Sequence, residues 1–166
     1  MTCLAAERAP LLPLEAFFGN PKRPDPKLEG FALAPSKRIK LKGGGRATLT
    51  LPLDAEPKSL PAVLDVQRRD RTAQWLANRG YAVLQLEPMR LSDGIRWLVR
   101  KGIADPKRIG VFGSRKGERL PSGARVAASI ELPEEEPVSR LEFYAAAERS
   151  LAEALGGRIG PEVWEK

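Results

Sequence analysis

A strand-like run, Arg108-Ile109-Gly110-Val111-Phe112-Gly113, leads directly into Ser114. A serine at the end of a buried strand stands where a hydrolase places its nucleophile, and that hydroxyl ordinarily needs an imidazole to take its proton. The 166 residues contain no histidine. Lys116 is the alternative base by spacing, because burial can depress a lysine pKa far enough for serine–lysine chemistry. Arg115 and Arg119 beside it, in what reads as an open loop, instead predict a hydrated, protonated lysine.

The same loop offers a second chemistry. Gly113, Ser114, Arg115, Lys116 and Gly117 combine backbone N–H groups, a hydroxyl and cations at the carboxyl end of a strand, where open α/β sheets form their ligand crevice. A small acidic or phosphorylated ligand is the class such a loop would take, with Arg68 and Arg90 as neighbouring cations. The G-x-x-x-x-G-K-[ST] spacing of a phosphate loop is absent, and Pro121 argues against a helix immediately afterwards. Glu87, without a paired carboxylate, reads as a surface residue.

Composition narrows the remaining classes. A hydrophobic content of 42% over 166 residues supports one moderate core. Cys3 is the single cysteine, so no internal disulfide forms, and without cysteine or histidine clusters zinc sites cannot be built. No spacing signals a metal or an organic cofactor, so none is expected. The apolar runs fall short of the roughly 20 residues that span a bilayer, and Glu7 and Arg8 interrupt any signal-peptide core. The expectation is a soluble cytoplasmic protein with no membrane partner. The net charge is +7, with a basic body to residue 120 and an acidic segment beyond it. The cations are scattered rather than interleaved with stacking aromatics, so nucleic acid is not an expected partner. Trp75 and Trp97 fit buried helix positions, and Trp164 fits a tail anchor.

The elements that must position these residues follow from periodicity. Prolines punctuate residues 1–45, leaving only Leu14 to Phe18 as a helical turn. This arm is expected either to wrap the domain through Leu14, Phe17 and Phe18 or to be partly disordered. Lys37–Lys42 and Arg46–Leu51, separated by Gly43-Gly44-Gly45, predict an antiparallel hairpin whose first strand is a basic edge. Ala62–Val66, Tyr81–Leu86 and Ile109–Phe112 read as strands buried on both faces. Between them lie a helix from about Arg71 to Arg79, stopped at Gly80, and a helix from about Ser92 to Lys101, with Leu91, Ile95, Leu98 and Val99 as its apolar stripe.

Strand alternating with helix is the α/β signature, so a small, mostly parallel sheet flanked by helices is expected. Arg125–Leu132 is a further strand. Only a short, proline-interrupted segment joins it to Ser114, which predicts antiparallel pairing or a place at the sheet's edge. A final helix begins at a capping box, Ser139 with Glu142, ends at Gly156-Gly157, and turns Leu141, Tyr144, Ala147, Leu151 and Leu155 inward.

Several segments carry a resemblance in a consistent order. They are L-P-L-E-A-F-F-G-N-P near the start, L-T-L-P, L-P-A-V-L-D-V, R-D-R-T-A-Q-W-L-A-N-R-G-Y-A-V-L-Q, D-G-I-R-W-L-V-R-K-G-I-A-D-P-K-R-I-G-V-F-G-S, and F-Y-A-A-A-E-R-S-L-A-E-A-L-G-G-R near the end. Together these resemble the prolyl oligopeptidase family of serine peptidases, which includes acylaminoacyl and dipeptidyl peptidases. The resemblance implies an arm, residues 1–45, similar to the start of that family's propeller, and a shortened α/β-hydrolase domain, residues 46–166. It also implies hydrolysis of a short peptide or ester through an acyl-enzyme on Ser114.

The departures bear on that chemistry. The family's G-x-S-x-G-G elbow has its nearest match here in Gly113-Ser114-Arg115-Lys116-Gly117-Glu118, whose glycines stand at the wrong offsets from Ser114. Its H-G-G-P turn is replaced by Gln67-Arg68-Arg69, and its N-x-R-G segment by Glu87-Pro88-Met89-Arg90. The loop that bears the catalytic histidine has no counterpart, and no aspartate inherits the triad role. The expectation is a hydrolase-derived domain with lost or very weak activity; alternatively, a noncatalytic module binding anions at its basic sheet edge. An exposed sheet edge would also permit pairing between copies.

Overall fold

The computed structural model describes residues 10–18, 33–115, 126–133 and 140–160. The central strands are apolar on both faces and are therefore covered on both. β3 (Leu60–Asp65), β4 (Ala82–Gln85) and β5 (Ala104–Arg115) are parallel neighbours, with β3 in the middle. Alternate side chains leave the pleat on opposite sides. Ala62, Leu64, Leu84 and Val111 enter one apolar cluster, and Val63, Val83 and Phe112 enter the other.

The hairpin of β1 (Ser36–Lys40) and β2 (Arg46–Thr50) is antiparallel and joins the sheet through β2 against β4. β6 (Ala128–Leu132) pairs with β5. The six-stranded order is β1-β2-β4-β3-β5-β6. β6 takes the edge position expected of it, and its pairing is parallel. The fold is thus a mixed α/β sheet, mostly parallel, flanked by helices.

α2 (Asp70–Asn78) and α3 (Leu91–Arg100) connect the parallel strands, and α4 (Arg140–Leu155) packs on β5 and β6. α3 differs from its predicted stripe. Its buried face is Leu91, Gly94, Trp97 and Leu98, whereas Val99 is 37% exposed. The reason is Gly94: a Cβ there would lie 2.6 Å from Leu86 Cδ1 and 3.1 Å from Leu64 and Leu84. The missing side chain lets the helix approach the sheet along the line through Leu91, Gly94 and Leu98. No helix among the described residues is long and apolar enough to cross a membrane.

Of the N-terminal arm, residues 10–18 and 33–45 are described, and the first of these segments packs on the domain. Leu12, Leu14 and Phe17 of the segment around α1 (Leu14–Phe18) are buried, and Phe18 stacks on Tyr144. α2 binds the arm through two side-chain amides spaced one turn apart. Asn78 accepts from Leu12 N–H at 3.1 Å and donates to Pro10 O at 2.9 Å. Gln74 accepts from Ala34 N–H at 2.9 Å and donates to Ala34 O at 3.1 Å. Each amide satisfies arm backbone that has no strand partner there.

A buried ion pair locks α4 to α2. The guanidinium Nε of Arg79 donates to Glu148, both side chains being almost fully buried. Glu148 also accepts from Trp75 Nε1 at 3.1 Å and Gly160 N–H at 3.3 Å. Burial lowers the pKa of Arg79, and Glu148 opposes that shift. Removing one partner strands a charge in a desolvated site, which typically costs about 3–5 kcal/mol. Glu148→Ala is therefore expected to lower unfolding free energy by about that amount, read from the urea midpoint at constant slope; a loss under about 1 kcal/mol would show that the pair is dispensable.

Candidate functional site

The carboxyl ends of β3, β4 and β5 lie side by side, and the predicted site residues follow them. Asp65 closes β3 and is in register with Gln85 on one side and Phe112 on the other. Its carboxylate is fully buried. Oδ1 accepts Gln67 N–H at 2.9 Å, Oδ2 accepts Gln85 Nε2 at 3.0 Å, and the N–H groups of Arg68 and Arg69 also point to it. Gln85 Nε2 further donates to Arg69 O at 2.9 Å. The chain from β3 to α2 therefore wraps its amides around an internal anion. The sequence offers a signal for this arrangement: an aspartate ending an apolar strand before Q-R-R-D, the setting in which Asp caps its own following amides.

Burial raises the Asp65 pKa above its ordinary value of 3.8, with the hydrogen bonds from Gln85 and from the amides of Gln67, Arg68 and Arg69 opposing the rise.

Gly113 has φ +93° and marks an irregularity in the β5–β6 register. A Cβ on it would lie 2.4 Å from Gln67 Cγ. Gln67 lies across this glycine and donates from Nε2 to Gly113 O at 2.8 Å. The close approach that glycine permits is thus taken by a side chain of the protein itself.

Ser114 differs from its expected exposed position. It is 5% exposed and lies within β5, which continues to Arg115 because β6 pairs along it; Ser114 is opposite Glu131. Its φ is not positive, since among described non-glycine residues only Ser59 and Arg68 have positive φ. The sharp turn that exposes a hydrolase serine beyond its strand is therefore not formed. Arg115 ends β5, and Lys116 and Gly117 lie outside the described residues.

The two outlying arginines do not converge on Gly113. Arg68, at φ +58°, is 57% exposed and approaches Glu87 at 4.0 Å. Arg90 contacts Asp93 at 3.6 Å and lies along Gly45 in the β1–β2 turn, where a Cβ would be 3.1 Å from its Cδ. That corrects its expected role beside the serine loop. β4 is flanked by β2 and β3, and Arg90 takes the β2 side.

A concavity of about 230 Å³ opens at the other end of the sheet beside Asp54, Arg79, Arg108 and Arg158. Its arginines are engaged. Arg158 donates to Asn78 O at 2.8 Å and approaches Asp54 at 3.5 Å; Arg108 donates to Asp105 at 3.0 Å and Ser59 O at 2.9 Å. The Asn78 contact satisfies a carbonyl at the C-terminus of α2, the end of a helix that favours cations.

No protein-family model matches this sequence, and no curated protein does. Solved structures do resemble it. The chain is similar to the isopeptidase AtxE2, at 22% identity and a TM-score of 0.52, over 80% of this chain and 28% of that one. It is similar to a hypothetical protein from Pseudomonas aeruginosa at 20% identity, TM-score 0.49, over 60% and 43% of the two chains. A third is the Pyrococcus horikoshii acylaminoacyl peptidase, at 15% identity, TM-score 0.45, over 60% and 23%. The likeness to AtxE2 shows an α/β-hydrolase-like fold. The chain spans less than half the length of each of these proteins.

The buried carboxyl makes a pH signature. A raised pKa means that the folded state holds the Asp65 proton more tightly than the unfolded chain, so its stabilising contribution is full below the unfolded pKa and is lost as pH rises through the folded value. Asp65→Asn has no such titration. The stability of the wild type relative to this variant is expected to be greatest below about pH 4 and to shrink as pH rises. Urea unfolding across that range checks it; parallel pH curves for the two proteins would contradict the assignment.

Proposed function

We propose that this chain is a hydrolase-derived α/β domain that does not turn over as a serine peptidase. The observation that carries this reading is Ser114, 5% exposed and held in strand pairing, in a sequence with no histidine. A serine hydroxyl becomes a nucleophile when a neighbouring base takes its proton. Enzymes stripped of triad members retain about 10³–10⁴-fold catalysis from the oxyanion hole and binding. That residue of activity needs free N–H donors, and the amides of Gln67, Arg68 and Arg69 are directed at Asp65. The likeness to an isopeptidase supports a peptide as the ligand class of the parent fold, and esters are the simpler probes of it.

Anion binding at Gly113, Arg115 and Gly117 with Arg68 and Arg90 is the weaker reading. Arg68 favours it, because its exposed side chain makes, among the described residues, a long surface contact to Glu87. The Asp65 carboxylate and the diversion of Arg90 oppose it.

A fluorophosphonate probe tests the principal reading. The folded wild type is expected to label no faster than Ser114→Ala. Rapid labelling of the wild type that disappears in the variant would overturn the proposal and require a base other than histidine. Calorimetric titration with inorganic phosphate is expected to give no saturable heat; saturable binding lost in Arg68→Ala would favour the anion reading.

A further inference from the structure

The two edges of the sheet are built differently. β1 carries Lys37, Arg38 and Lys40, all exposed, on an edge whose burial is confined to Ile39. Exposed cations along an edge strand oppose pairing with another strand. β6, at the opposite edge, reads Ala128-Ser129-Ile130-Glu131-Leu132, without lysine, arginine or proline. Among the described residues no strand pairs with its outer side. Ala128, Ile130 and Leu132 are half-buried against the apolar cluster beneath α4, while Ser129 and Glu131 face outward from that cluster and are exposed.

We infer that β6 is a self-association edge, its occupant the β6 of a second copy of this chain in antiparallel pairing about a twofold axis through Ile130. The sequence of the strand is self-complementary under that operation. Ile130 meets its own copy, Ala128 meets Leu132, and Ser129 meets Glu131 in both symmetry-related pairs. The half-buried residues of one protomer continue the apolar face of the other. The single charge per strand, Glu131, stands opposite a neutral hydroxyl, so the symmetric register creates no like-charge pair. A five-residue strand gives a small interface, below the area of stable complexes, so the dimer is concentration-dependent.

Exposed Ser129 allows a test that leaves the core intact. Sedimentation equilibrium of the full chain across a concentration series is expected to show monomer and dimer. Ser129→Glu places two glutamates opposite each other in each symmetric pair and is expected to weaken dimerisation by about tenfold. Ser129→Lys replaces those pairs with opposite charges and is expected to strengthen it, as is Ser129→Glu combined with Glu131→Lys relative to Ser129→Glu alone. Circular dichroism of each variant verifies the fold. A wild type that stays monomeric throughout, or equal effects of glutamate and lysine at position 129, would overturn the inference.

Discussion

Two-sided burial of the parallel strands is the constraint on which the rest of the molecule depends. Val63, Leu64, Val83, Leu84 and Val111 are without solvent exposure, and each such side chain contributes about 1.5–3 kcal/mol by leaving water. A sheet covered in this way has no room for an unpaired polar group at its centre. Polar chemistry is pushed to the strand ends, and each end has its own solution. One holds Asp65 with Gln85, in register on adjacent strands. The other holds Arg79 with Glu148, joining the C-terminus of α2 to the middle of α4.

The carboxyl end is organised around a buried side-chain carboxyl. Catalytic acyl transfer uses preorganised N–H donors aimed at a charge that develops only in the transition state. Here donors from the β3–α2 segment are aimed at a side-chain oxygen of the same chain. Asp65 thus anchors the loop and orders the start of α2. Gln67 completes the arrangement by crossing Gly113 and binding its carbonyl. A glycine with positive φ before a serine suggests an elbow in one dimension. In three dimensions, its space holds a glutamine.

The architecture was legible because its causes are local. Apolar runs marked the buried strands, the glycine triplet marked the hairpin, and Leu14, Phe17 and Phe18 marked how the arm packs. On α3, Leu91, Ile95 and Leu98 pack on the core as their spacing predicts, and Val99 does not; Gly94 was not legible as part of that face because a glycine carries no hydropathy signal, although its missing side chain decides where a helix meets a sheet. The buried polar groups were harder to read. Glu148 lies in phase with Tyr144, Leu151 and Leu155 on the inward side of α4, but a charged residue at an inward position has meaning only once Arg79 faces it. Ser114 failed for a related reason. Whether a strand ends before or after a serine depends on how far its neighbour extends, and β6 lies beyond a segment whose length and single proline, Pro121, reveal little about pairing.

Closure of the carboxyl end by the protein's own side chains changes where interactions can arise. The flank formed by α2 is also occupied, because Gln74 and Asn78 bind arm backbone that would otherwise be unsatisfied. The β1 edge carries three exposed cations on a chain of net charge +7, so a second copy meets both local and global repulsion there. β6 lies in the acidic segment after residue 120, where that global repulsion is locally relieved. Backbone groups at an edge demand partners with equal strength at either side of a sheet. Side-chain charge decides which side admits them: β1 carries three exposed cations, whereas β6, with no strand on its outer side among the described residues, carries one exposed carboxylate.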